Sequence, residues 1–367
     1  MAGTSCSGED AFVGETAEEF TARMSAVVSS GLHCISVAVG IETGLFRVLI
    51  ELGTPKTSQE IADAGNYKER YVREWLGAVT SIHIVEYNPS DETYWLPAHR
   101  HIVDGSARAS ALAMAVPILC QAFFDVTECF KKDGPPGVTY DKYGNFDEFM
   151  TGRHQVFFKE QLAQHFLPTM PKLYQQLQEG IRVLEIGCSQ GISTRAIARH
   201  FPKSQVVGLD ITEEGIRTAT ETARAEGLGN VEFICMSATS LPADWSGRYD
   251  FVFMHNVLHD LPRPVETLDE LYRALRAGGT MSVIDTNSYS RLEDNLANLR
   301  GFASDAYVLS MMNCVPTSLS AEGATLGLGA MWGREKAQEL IKAAGFEVVS
   351  VTPVQTENSL NYHCQKP

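Results

Sequence analysis

A chain of 367 residues with 44% apolar side chains can bury a substantial core and favours two domains over one. Its formal net charge of -15 repels phosphate polymers, so nucleic-acid binding needs a local basic patch, and none stands out. Eight cysteines without a CxxC pair argue against a zinc site and a disulfide framework and predict reduced thiols in a cytoplasmic protein.

Residues 1–12 are small and polar, predicted disordered, and show no signal-peptide pattern. Phe20, Met24, Val28, Leu32, Ile35 and Val39 then recur at three- and four-residue spacing, which predicts an amphipathic helix. A second helix carries "GIETGLFRVLIELG", and the following stretch reads as helix, turn, helix and two short strands around "NPSDE". That order predicts a winged helix, placed with the first two helices in a domain of residues 13–105. Residues 56–75 set Lys56, Lys68, Arg70 and Arg73 against Glu60, Asp63, Glu69 and Glu74. A balanced recognition helix disfavours DNA and leaves pairing with a second subunit as the expected role.

The apolar run "ASALAMAVPILCQAFF" is short and holds Pro117, so it predicts a core helix and not a membrane span. It opens a helical connector, 106–178, interrupted at 131–149 by a Gly-, Pro- and aromatic-rich loop of the size of a lid. Pro168 and Pro171 should break the helical stretch that follows it.

From residue 179 strands alternate with helices: 182–187, 205–210, 231–236, 249–256, 280–286, 346–351 and 358–365 read as strands. Continuous apolar strands between helices predict a parallel sheet covered on both faces, with the last two strands, which have no helix between them, paired antiparallel. Ligands of such sheets lie across the carboxyl ends of the strands. There "EIGCSQG" joins the first strand to a helix, and Gly187 and Gly191 let the chain turn close to a ligand. The G-x-x-x-G spacing lacks the dinucleotide fingerprint, which disfavours a nicotinamide cofactor. Asp210 ends the second strand, where a carboxylate can accept from ribose hydroxyls, and Ser237 and Ala238 follow the third, within reach of an adenine amine.

Residues 182–287 resemble the core of class I S-adenosylmethionine-dependent methyltransferases, with Ser189 in place of the middle glycine and Ser237 where that family often has aspartate. The resemblance implies an α/β Rossmann-like seven-stranded sheet with its last strand antiparallel, behind a mainly helical winged-helix domain, in residues 179–367. It further implies that Glu185 and the Gly187–Gly191 turn receive the methionine half of S-adenosylmethionine, Asp210 the ribose, and Asn256 the region near the reactive centre. The winged-helix arrangement is similar to that of small-molecule O-methyltransferases, in which the front domain dimerises. The segments "LEDN", "YVLS", "TSLS", "GLGAMWG", "AGF" and "NYH" resemble a branch whose acceptors are mostly unassigned.

Methyl transfer is an in-line displacement that mainly needs alignment and exclusion of water. His259 has the ordinary pKa of a general base and matches the histidine of the family's "HD" pair, whereas the plainer alternative has Asp260 capping a helix and His259 packed under the cofactor. A thiol acceptor needs less help than an alcohol, so oxygen and sulfur both stay open. Tyr140, Tyr143, His154, Met331 and Trp332 are the expected acceptor-pocket walls, with interdomain core as the alternative. His255 and His259 lack a carboxylate in ligand spacing, so no metal is expected. The competing function is a regulatory protein that binds a ligand and signals through its winged helix.

Overall fold

The computed structural model describes residues 14–144, 146, 149–150, 152, 155, 157–323, 325–354 and 358–367. The predicted disordered stretch 1–12 and His154 lie outside the described residues.

The chain divides into a first unit ending at Gln121 and a second running from Ala122 to Pro367. This cut falls inside the expected connector, because the short helical pieces Leu112–Met114 and Ala115–Gln121 pack against the first helix.

In the first unit α1 (Ala17–Glu42) starts at a capping box: Glu19 N–H donates to Thr16 Oγ1 at 3.2 Å while Thr16 N–H donates to the Glu19 carboxylate at 2.8 Å. The helices α2 (Leu45–Leu52), α3 (Ser58–Gly65) and α4 (Glu69–Ser81) form the winged-helix bundle, and Thr57 with Glu60 repeats the same box at the start of α3. Strands β1 (Lys56–Thr57), β2 (Glu86–Asn88) and β3 (Thr93–Trp95) make a small antiparallel sheet in the order β1, β3, β2. Phe46, Ile61, Leu76 and Val79 are fully buried between them, with the edge of one ring of the Phe46–Trp75 pair on the face of the other at 5.1 Å.

The predicted stripe of α1 forms and stays exposed: Val28 is 60% and Leu32 64% accessible. α1 is also long and apolar enough to cross a membrane, with a mean hydropathy of 1.7. The run 109–124 is not one core helix. It breaks into the short pieces Arg108–Ala111, Leu112–Met114 and Ala115–Gln121, the last carrying Pro117 in its first turn, and Phe124 beyond them is 79% exposed.

The second unit holds a seven-stranded sheet of β4 (Arg182–Ile186), β5 (Gln205–Asp210), β6 (Val231–Cys235), β7 (Tyr249–His255), β8 (Leu275–Thr286), β9 (Glu347–Val354) and β10 (Ser359–Gln365). Their spatial order is β6, β5, β4, β7, β8, β10, β9. β10 pairs antiparallel with both β8 and β9, so the last strand alone runs against the rest, one place in from the edge. β8 begins earlier than expected, at Leu275, and the register shift opposite Tyr249–Phe251 absorbs Gly278 and Gly279.

Alternate residues along the strands serve opposite faces. Leu184, Ile186, Val252, Met254 and Val283 pack into one core, and Val183, Val206, Phe251, Phe253 and Ile284 into the other. Phe157–Phe166 coils as a π-helix, Leu167–Thr169 as a 3-10 turn and Pro171–Glu179 as an α-helix, the prolines marking the changes and Phe157, Leu162, Leu173 and Leu177 covering the second face.

Candidate active site

The turn after β4 is built from three residues in the left-handed region: Gly187 at φ 69°, Ser189 at φ 46° and Gly191 at φ 70°. Gly187 N–H and Cys188 N–H both donate to the Leu209 carbonyl, at 2.8 and 3.0 Å. Asp210 Oδ2 accepts Ser189 N–H at 2.7 Å, and Asp210 Oδ1 accepts Thr212 N–H at 2.9 Å and the Thr212 hydroxyl at 2.7 Å. The second-strand acid therefore holds the turn in place as well as facing the cavity.

The positive φ of Gly187 and Gly191 fits the expected turn, and the missing side chains also leave space for neighbours. A Cβ at Gly187 would stand 2.4 Å from Val257 Cγ2, and one at Gly191 would stand 2.4 Å from Phe233 Cε1. The bare backbone makes room for the protein's own side chains beneath the turn.

Glu185 sits below the turn, 2% exposed, and accepts the hydroxyls of Ser193 and Thr194 from the first turn of the helix Ile192–His200, the latter at 2.6 Å. Burial pushes its carboxyl up to about 7 against the pull of those two hydroxyls, with the charge of Asp210 adding to the rise.

These groups line one end of a cavity of about 420 Å³ that also reaches Ser237, Ala238 and Asn256. Asn256 holds φ 53°, its N–H donating to the Ile284 carbonyl at 2.8 Å. Leu209, Ile211, Met236, Leu261 and Pro262 supply apolar wall, and Ile211 is 64% exposed. Tyr140, Phe146, Met150 and Phe158 line the cavity together with Thr317 and Ser320. Two carboxylates as acceptors and an apolar wall form a lining that fits a cation carrying a ribose and a purine.

Of the expected acceptor walls, Tyr140 lines the cavity. Tyr143 does not; it is fully buried and its hydroxyl donates to the Met312 carbonyl at 2.6 Å. Met331 packs on Ala303 and Ala306, and Trp332 joins the core under the sheet, so neither reaches the cavity. Both lie in a segment whose apolar residues the core claims first.

His259 is 4% exposed and does not line the cavity, whereas Asp260 does. Its Nδ1 lies 2.6 Å from Asp285 Oδ1 and its Nε2 3.2 Å from Asp260 Oδ1. Burial by itself would lower the imidazole pKa, but Asp260 and Asp285 outweigh it and hold His259 well above its ordinary value. Burial likewise raises Asp260, against the charge of His259.

Asp285 was not foreseen from the sequence, although it stands at the carboxyl end of β8, the place where such sheets carry function. His255, at the end of β7, lines the cavity and stacks on Phe157 at 5.3 Å with Phe158 edge-on at 4.8 Å.

Residues 177–345 match the family model of a methyltransferase domain, and residues 31–103 match that of the Rv2258c-like winged HTH domain. A demethylmenaquinone methyltransferase of Listeria welshimeri is 31% identical over 113 residues, 30% of this chain and 48% of that protein. A ubiquinone biosynthesis O-methyltransferase of Leptothrix cholodnii is 30% identical over 116 residues, 31% of this chain and 48% of its own length. The chain thus spans about half the length of the curated relatives it matches. Among solved structures, human N-acetylserotonin methyltransferase in complex with S-adenosylmethionine superposes with a TM-score of 0.63 at 14% identity, over 96% of this chain and 99% of that one. At that identity the likeness shows the fold.

Fold and family matches agree on a methyltransferase domain over residues 177–345, preceded by a winged HTH domain over residues 31–103. The cofactor of such domains is S-adenosylmethionine, and Glu185, Gly187, Ser189, Asp210 and Asn256 line the cavity at the carboxyl ends of the strands.

Proposed function

We propose that the protein transfers the methyl group of S-adenosylmethionine to an oxygen or sulfur atom of a small, largely apolar acceptor, acting as a cytoplasmic homodimer. The observation that carries this reading is one continuous cavity in which the carboxylates and glycine turn share walls with Tyr140, Phe146, Met150 and Phe158. The cofactor supplies an activated methyl group on a sulfonium.

The chain's own residues orient the acceptor against that methyl, exclude water and accept the acceptor's proton. Asp260 faces the cavity and is backed by His259, which Asp285 fixes from behind, so His259 acts through Asp260 and not by direct contact. The exposed apolar face of α1 supports pairing with a second copy. Cytoplasmic residence is supported by the described cysteines, all of which are free thiols.

The test is mass spectrometry of a metabolite extract incubated with isotopically labelled cofactor. New methylated products that disappear in Asp260→Asn are expected. Tight cofactor binding with no product from a broad panel of phenols, alcohols and thiols would favour the regulatory alternative.

A further inference from the structure

The Cys314 thiol has no part in the transfer described above, yet it is buried beside His259 and Asp260. A ring nitrogen, a carboxylate oxygen and the sulfur all lie within 4.8 Å of one another. The sequence reading expected no metal because it weighed His259 with His255. The fold groups His259 with a neighbour in the chain and with a cysteine from a distant helical segment.

Behind the ring, Asp285 Oδ1 accepts at 2.6 Å from Nδ1 and at 2.7 Å from Thr286 N–H, and Asp285 Oδ2 accepts at 3.3 Å from His259 N–H. A carboxylate already taking two backbone amides acts as acceptor, so Nδ1 carries the hydrogen and Nε2 is turned toward Asp260 and Cys314. Asp260 Oδ1 is buried 3.2 Å from Nε2, and the Cys314 side chain hydrogen-bonds with both His259 and Asp260, so the three groups already converge on one another. A carboxylate behind one imidazole nitrogen, with oxygen and sulfur in front of the other, is the arrangement that orients metal-binding histidines.

Cys314 ends the π-helical turn Ser310–Cys314, a distortion common at functional sites. Tetrahedral zinc, with bonds of about 2.0–2.3 Å, keeps its ligand atoms roughly 3.3–3.8 Å apart, so the three groups need to close by about 1–1.5 Å at most.

We propose that His259, Asp260 and Cys314 bind one zinc-class divalent ion, with Asp285 as the residue that positions His259. A nitrogen, oxygen and sulfur set selects a borderline-soft ion over magnesium or calcium. Because Asp260 also lines the large cavity, the ion would sit at its wall, where it could lower the pKa of an acceptor hydroxyl or thiol by coordination. The site stands on this geometry and does not rest on the methyl-transfer reading.

The experiment is titration of the metal-stripped full chain with cobalt(II), read by absorption. One equivalent should give tetrahedral ligand-field bands and a sulfur-to-cobalt charge-transfer band, both removed by added zinc. Cys314→Ser should abolish the charge-transfer band, Asp285→Asn should weaken affinity roughly tenfold or more, and Cys235→Ser, at an exposed thiol, should change neither. Absence of the band, or its survival in Cys314→Ser, overturns the proposal. If Cys314→Ser fails to fold by circular dichroism, X-ray absorption of the zinc-loaded native chain decides: one sulfur in the first shell supports the site, and a shell without sulfur overturns it.

Discussion

Glu185 is the residue whose energetics are most exposed to measurement. Its folded pKa of about 7 lies above the ordinary 4.5, so between those values the folded state keeps a proton that the unfolded state has lost. Stability of the ligand-free protein therefore falls as pH rises through that window, by about 3 kcal/mol at this site. Glu185→Gln should melt at a higher temperature than the native chain at pH above 7, with the difference closing toward pH 4.5, as differential scanning fluorimetry would show. The same substitution should cost cofactor affinity, and native affinity for the cationic cofactor should tighten as pH rises through about 7. At the neighbouring turn, Gly191→Ala adds a methyl against Phe233 and Ala219 in a left-handed backbone, and should destabilise the chain by about 2–4 kcal/mol in denaturant unfolding.

Among the elements, α1 and α3 make opposite demands. The capping box at Thr57 and Glu60 is local, so Thr57→Ala should lower the stability of the first unit by about 1 kcal/mol without touching cofactor binding. α1 keeps its apolar stripe in the open, so Val28→Asp combined with Leu32→Asp should convert a dimer to a monomer by light scattering. Unchanged mass would remove the dimer proposal. Both elements were legible in the sequence, because capping residues and three-to-four spacing are local signals. The broken helices of 108–121 were not: hydrophobicity there marked burial, but where the run bends depended on what it packs against.

Across the whole molecule, the alternating strands and helices announced the parallel sheet, and Gly187 and Asp210 fall at the carboxyl ends of β4 and β5, where the cavity lies. The sequence could not show that Gly187 and Gly191 spare room for Val257 and Phe233, since those contacts join segments far apart in the chain. Nor could it turn His259 away from the cavity, because that orientation is set by Asp285 on another strand. Tyr143, Met331 and Trp332 carried the composition of a pocket and went to the core, which competes for the same side chains. The winged helix keeps its cations at home: Lys56, Arg70 and Arg73 pair with Glu60, Glu74 and Glu69 at 3.2, 2.6 and 3.4 Å. With a net charge of -15 over the chain, binding to duplex DNA should be undetectable by fluorescence anisotropy even at low salt.

The central claim is that the edge of the sheet around Glu185 and Asp210 holds S-adenosylmethionine. Isothermal titration calorimetry of the full chain tests it most directly. Saturation at one cofactor per chain, with heat lost in Glu185→Gln and in Asp210→Asn while both stay folded, is the expected result. A folded native chain that takes up no cofactor, or binds it equally well without those two carboxylates, would contradict the account.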